Sequence, residues 1–147
     1  MLMDNEEGGS SVRFLIADDH ALVRSGLRSL LKREPGFEIA GEAEDGREAV
    51  ELCRGLRPDL ILMDMRMPRM DGLEATRAIK REHPETKILM VTMHDDQDYM
   101  LEAVKAGAAG YVLKDAPREE LIAAVWRVIY GRSPDSQDSP SDYKMPS

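Results

Sequence analysis

Hydrophobic residues cluster in five short runs along the chain, each followed by a segment whose apolar positions recur at helical spacing. The runs predict strands at Val12–Ala17, Glu38–Ala43, Leu60–Met63, Lys87–Thr92 and Gly110–Leu113. The first, third and fourth are nearly continuous in apolar residues, as strands covered on both faces are. The second carries Glu38, Gly41 and Glu42, which suits a sheet edge.

The helical segments have legible ends. Val23, Leu27, Leu30 and Leu31 form a stripe that follows His20 and stops before Pro35-Gly36. Asp45 with Glu48, and Asp71 with Glu74, have the spacing of capping boxes opening the second and third helices. Asp95 and Asp96 suit the positive end of a fourth helix, and Gly107 suits its C-terminal cap. Pro117 fits the first turn of a fifth, whose stripe is Leu121, Ile122, Val125, Val128 and Ile129. Strands alternating with helices over short connections predict an α/β fold, a parallel sheet with helices on both faces.

Two flanks lack this patterning. Residues 1–10 read as a flexible N-terminus, residues 11–131 as one domain, and residues 132–147, rich in Ser, Pro and Asp, as linker or tail. At 147 residues and 42% hydrophobic content the chain can bury a core without staples, and its one cysteine, Cys53, excludes an internal disulfide framework. A reducing, cytoplasmic setting follows. The apolar runs are too short to span a membrane, and the start is not a signal peptide. With 28 acidic against 20 basic residues the net charge is −8, which disfavours non-specific nucleic-acid binding and favours a cation or a basic partner.

In open α/β sheets, ligands sit beyond the carboxyl ends of the strands. The predicted strands end in Asp18-Asp19, Asp64, Thr92 and Lys114. Three carboxylates, a hydroxyl and an ammonium therefore converge on one edge. Carboxylates so close repel one another unless protonated or neutralised by a cation. Mg²⁺ fits, because it takes one or two carboxylates, retains waters and accepts phosphate oxygens. One carboxylate is then available as a nucleophile toward phosphorus.

The residues that carry this chemistry resemble those of the response-regulator receiver domains of bacterial two-component signalling. They are Asp18-Asp19, Asp64 with Met67-Pro68 and Met70-Asp71-Gly72, then Thr92, Tyr111 and Lys114, with the similarity running from about Val12 to Gly131. The segments Gly41-Glu-Ala-Glu-Asp-Gly46, Thr92-Met-His94 and Tyr111-Val-Leu-Lys-Asp115 are most similar to the subfamily with a LuxR-type helix-turn-helix output domain. The resemblance implies a doubly wound, flavodoxin-like sheet of order 2-1-3-4-5 with five flanking helices.

It also implies roles. Asp64 is the phosphoacceptor, receiving its group from a phosphohistidine on a sensor histidine kinase. Asp19, Asp64 and the backbone carbonyl of Arg66 ligate Mg²⁺, with Asp18 acting through water. Lys114 and Thr92 contact phosphoryl oxygens, and Tyr111 turns inward as the output surface switches. The implied protein is a signalling receiver, not a turnover enzyme beyond its own phosphotransfer and slow autodephosphorylation. It forms a phosphorylation-dependent homodimer and reaches DNA only through an output domain that these residues do not include. The residues after Gly131 are too few for a helix-turn-helix domain, so the chain is either a receiver cut from a longer regulator or a stand-alone receiver working through protein contacts or as a phosphoryl sink; the subfamily favours the first.

Other readings of the same residues are weaker. A haloacid-dehalogenase-type phosphatase would place a second Asp two positions after the nucleophile, where this chain has Arg66. An FMN site is disfavoured by the acidic loop after the first strand. Arg66 and His94 are expected to set the lifetime of the phosphorylated state. His20 reads as a helix-start residue near the metal site, and His83, beside Pro84, as a solvated helix end. Met67-Pro68 and Met70-Asp71-Gly72 make a loop that bends beneath the acceptor, with Gly72 tolerating unusual backbone angles. Trp126 reads as core packing with a partner contact as the alternative, and Cys53 as a small buried hydrophobe.

Overall fold

A computed structural model of the chain describes residues 11–93 and 97–131. The elements in chain order are β1 (Val12–Ala17), α1 (Ala21–Lys32), β2 (Phe37–Ala43), α2 (Gly46–Leu56), β3 (Leu60–Met63), α3 (Gly72–Glu82), β4 (Lys87–Thr92), α4 (Gln97–Ala106), β5 (Gly110–Leu113) and α5 (Arg118–Tyr130). All strand pairs are parallel and the sheet order is β2-β1-β3-β4-β5. The expected fold class, strand order and helix number are all present.

Two apolar layers explain why the central strands read as unbroken hydrophobic runs. Leu15, Ile61, Met63, Ile88 and Met90 face one layer with Ala49, Cys53, Ala75 and Ile79 of α2 and α3. Phe14, Ile16, Leu60, Leu62, Leu89 and Val91 face the other with Leu31, Leu121, Ile122 and Val125 of α1 and α5. Residues alternate between layers at the strand period of two. The outer strand β2 is mostly half-exposed, as its polar content required, and a register shift opposite Phe14 and Leu15 marks an irregularity in its pairing.

Several local expectations need adjustment. β2 begins one residue earlier, at Phe37, whose ring lies 4.7 Å from that of Phe14. A full capping box exists at Asp71–Glu74. At Asp45 only half of it forms: Asp45 accepts from the Glu48 N–H, but the Glu48 carboxylate turns to the Glu44 N–H, one residue before the cap. Pro117 is the N-cap of α5 and its carbonyl accepts from Glu120 and Leu121, so the first turn starts after it. Gly107 does end α4 with φ +106.

His83 is not solvated. It caps the C-terminus of α3 and is buried, because the chain turns there and its carbonyl accepts from Thr86. Cys53 is fully buried, and burial pushes its thiol pKa up. Trp126 packs against the α1–α5 layer, with its indole N–H on Glu34 at 3.3 Å and its ring 4.8 Å from Tyr130. The flanks 1–10 and 132–147, together with His94, Asp95 and Asp96, lie outside the described residues.

Candidate functional site

Each strand of the buried sheet ends by exchanging hydrocarbon for a polar side chain. Ala17 is followed by Asp18, Met63 by Asp64 and Leu113 by Lys114, while Thr92 is the last residue of β4. Parallel register brings these ends together. The Asp64 N–H donates to Ala17 at 2.9 Å, the Asp18 N–H to Ala43 at 3.0 Å, and the Lys114 N–H to Thr92 at 2.7 Å. The sheet ladder thus continues one step past the core and fixes the backbone of Asp18, Asp64, Thr92 and Lys114.

The side chains meet around one ammonium. Lys114 Nζ lies 2.8 Å from Asp18 Oδ2 and 3.3 Å from Asp64 Oδ2. Both carboxylates are almost fully buried, and Thr92 is entirely so. Burial raises the Asp64 carboxyl pKa to about 6; the charge of Asp18 pushes it the same way, while Lys114 and the Arg66 N–H oppose the rise. Burial works against the Lys114 ammonium, but its hydrogen bond to Asp18 and the charges of both acids outweigh that and lift its pKa above the ordinary value. The site is a desolvated pair of acids held together by one cation.

Asp19 is more open than its neighbour and points toward solvent beside His20. His20 is the N-cap of α1 without using its side chain as a cap; its Nδ1 lies 3.4 Å from Asp18 Oδ1 and 3.2 Å from Asp19 Oδ1. One donor atom each from Asp18, Asp19 and His20 all fall within 4.8 Å of one another. Asp64 is not part of that close group and meets Asp18 across Lys114, but the carboxylates of Asp18, Asp19 and Asp64 are the hard oxygen donors that Mg²⁺ takes. The residues present therefore fit that ion.

The loop from Met65 to Asp71 shapes the acceptor from below. Gly72 is needed for space and not for backbone angle, since a Cβ there would lie 2.0 Å from the Asp64 carbonyl oxygen. Its N–H donates to Met65 at 2.8 Å, and the Met70 carbonyl accepts from Gly46 at 2.9 Å. Arg69, in the left-handed region at φ 66, bonds to Asp45 Oδ2 at 2.7 Å. The Glu48 N–H and then Arg69 hold the Asp45 carboxyl below the usual carboxylate range against its burial.

Arg66 is exposed. Its guanidinium hydrogen-bonds to the Tyr99 hydroxyl and sits 5.6 Å from the centroid of that ring, linking the acceptor loop to α4. Tyr111 is half-buried, opposite Met90 in the β4–β5 register, and packs against the α2–α3 layer.

Three residues of this neighbourhood were not signalled by sequence. Arg24 donates to the Asp18 carbonyl at 2.7 Å and pairs with Glu42 at 3.1 Å, while Arg69 ties the acceptor loop to Asp45 and Tyr99 ties it to α4. Arg24 sits on α1, and its partners Asp18 and Glu42 lie outside that helix. Arg69 and Tyr99 take partners 24 and 33 residues away, which no local pattern encodes.

Comparison with known proteins decides the family. Residues 14–126 match the response regulator receiver domain. The chain belongs to the response-regulator receiver family. It is 41% identical over 129 residues to the transcriptional regulatory protein DegU of Brevibacillus brevis, covering 88% of this chain and 55% of that protein. To the response regulator UvrY of Escherichia coli it is 42% identical over 121 residues, covering 82% and 56%. This receiver thus spans about half the length of the curated relatives it matches.

Among solved structures, a LuxR-family response regulator from Aurantimonas sp. SI85-9A1 is 40% identical with TM-score 0.80, over 84% of this chain and 89% of that one. The receiver domain of the putative response regulator NarL from Mycobacterium tuberculosis is 37% identical with TM-score 0.79, over 84% and 99%. CheY of Borrelia burgdorferi, crystallised in complex with CheX, BeF3 and Mg²⁺, is 25% identical with TM-score 0.78, over 84% and 93%. Among the described residues no helix is long and apolar enough to cross a membrane.

Proposed function

We propose that this receiver takes a phosphoryl group from a phosphohistidine of a sensor histidine kinase onto Asp64. An ionised Asp64 oxygen attacks phosphorus, the P–N bond breaks, and the kinase imidazole leaves with the electron pair. The product is an aspartyl phosphate. The observation that carries this reading is the single ammonium of Lys114 shared between two buried carboxylates, Asp18 and Asp64. Such a cluster has unmet demand for positive charge and one carboxylate free to react.

Asp19, Asp64 and the Arg66 carbonyl would hold Mg²⁺, with Asp18 behind them; the ion supplies charge that offsets the carboxylates and the incoming phosphoryl oxygens. Lys114 pairs with a phosphoryl oxygen, and the Thr92 hydroxyl donates to another. Thr92 and Lys114 are joined through the backbone, so a shift of either disturbs the ends of β4 and β5. Tyr111 follows inward and changes the α4–β5–α5 surface, a population shift driven by the added charge. Arg66 and His94 set how long the modified state lasts.

In the longer regulators it resembles, this domain would govern a DNA-binding output domain, acting in the cytoplasm through a phosphorylation-dependent homodimer. Its only chemistry is its own phosphotransfer and slow autodephosphorylation.

Incubation with acetyl phosphate and Mg²⁺, followed by peptide mass mapping, tests the assignment. One phosphoryl group on the peptide containing Asp64, absent from Asp64→Ala, is the expected result. Undiminished aspartyl phosphate in that variant would move the acceptor elsewhere.

A further inference from the structure

The loop beneath the acceptor is fastened to the first turn of α2 at two adjoining points. The Gly46 N–H donates to the Met70 carbonyl at 2.9 Å, and Arg69 Nε lies 2.7 Å from Asp45 Oδ2. The approach is close enough to demand glycine, since a Cβ on Gly46 would stand 2.2 Å from the Met70 carbonyl oxygen. The same connection reaches the acidic pair, because the Ala43 carbonyl at the end of β2 accepts from the Asp18 N–H. Residues 43–46 therefore join the strand end that carries Asp18 to the loop that follows Asp64.

Arg69 is a costly residue for its place. Its φ of 66 lies in the left-handed region, where a side chain crowds the backbone and glycine does not. Among the described residues the other non-glycine residue with positive φ is Arg57, which ends α2. Local stability does not account for the arginine. Arg69 is exposed, and ion pairs with an exposed member contribute little. Asp45 already caps α2 without it, by accepting from the Glu48 N–H at 2.8 Å. What the pair adds is a fixed position for the chain three residues after Arg66, in a stretch that is neither helix nor strand. Strained backbone held by surrounding contacts is characteristic of ligand sites.

We propose that the Asp45–Arg69 pair positions the Mg²⁺ site. By holding the acceptor loop against α2 it sets where the Arg66 carbonyl stands relative to Asp19 and Asp64, and so sets the affinity for the ion. Both are positioning residues that act through the loop backbone. The inference rests on Mg²⁺ being held by those three groups, as proposed above.

Titration of the full 147-residue chain with Mg²⁺, followed by the amide shifts of Asp64, Arg66 and Gly72, tests it. Asp45→Asn keeps an oxygen for the Glu48 N–H and removes the charge facing Arg69. Arg69→Gly removes the guanidinium and relieves the backbone. Each should raise the Mg²⁺ dissociation constant about fivefold, less than removal of a group bonded directly to a metal ligand. The double variant should lose no more than either single one, because both break one contact. Arg69→Lys, which keeps the charge, should recover most of the affinity. The melting temperature of Arg69→Gly without Mg²⁺ should stay level or rise. With acetyl phosphate, labelling of Asp64 in both variants should slow at low Mg²⁺ and return to the unaltered rate at saturating Mg²⁺.

Unchanged Mg²⁺ affinity in both variants, with Asp64 still labelled, overturns the positioning role and leaves the acceptor reading standing. An affinity loss confined to Arg69→Gly and accompanied by a lowered melting temperature would make the pair a structural tie and overturn it too. Variants that weaken Mg²⁺ as expected in a chain that takes no phosphoryl group on Asp64 would support the positioning role and remove the acceptor reading.

Discussion

The interior of the sheet and its carboxyl edge are built from the same strands, one residue apart, and obey opposite rules. Within the sheet, Leu62 and Met63 of β3 lie among hydrocarbon and gain from every neighbour. One step further, Asp64 is just as buried, but desolvation raises its pKa to about 6. The interior stabilises the fold by removing apolar surface from water. The edge spends part of that stability to hold acids where they are uncomfortable, the usual signature of a reactive site.

The largest effect should come from the interior. Leu62→Ala leaves a cavity between β3 and the α1–α5 layer and should destabilise the domain by about 3 kcal/mol in a denaturant melt. A change near zero would mean the layer collapses around the gap. At the edge, Lys114→Ala strips the common partner from Asp18 and Asp64. It should cost about 2 kcal/mol at neutral pH, less than a fully buried pair because protonation of one acid relieves the strain. The loss should shrink in acid, which a pH series of melts would reveal.

Asp64→Asn should act in the opposite direction. Because the folded pKa of Asp64 lies above its unfolded value, its favourable contribution is complete below about pH 4 and fades as pH rises through about 6. Removing the charge should therefore stabilise the protein by about 1–2 kcal/mol at pH 7.5, with little gain at pH 4. A destabilised variant at both pH values would place Asp64 among ordinary structural acids.

The smallest effect concerns Arg66. Tyr99 engages its guanidinium, while the Arg66 backbone N–H acts on the Asp64 carboxylate. Tyr99→Ala frees that charge and should slow decay of the aspartyl phosphate about two- to threefold, an effect lost when Arg66→Ala is added. Equal decay in all three proteins would show that the contact serves packing alone.

The interior was far more legible than the edge. Strand-length apolar runs located every strand, with β2 short by only Phe37, and the order of the acidic pair, Asp64, Thr92 and Lys114 along one edge follows from those strand ends alone. What escaped were interactions set by tertiary approach. The Gly72 requirement comes from the Asp64 carbonyl, burial of His83 from the turn to β4, and the turning of Glu48 toward Glu44 from the path of the chain into α2. Arg69–Asp45 and Arg66–Tyr99 likewise join residues on separate elements, beyond the reach of local spacing.

The proposed phosphotransfer requires Asp64 to ionise against its surroundings until a cation relieves them. Carbon-detected NMR titration of the Asp64 carboxyl, without and with Mg²⁺, measures this directly. A midpoint near 6 that falls when Mg²⁺ is added is the result expected; a midpoint at the ordinary aspartate value, unmoved by the ion, would contradict it.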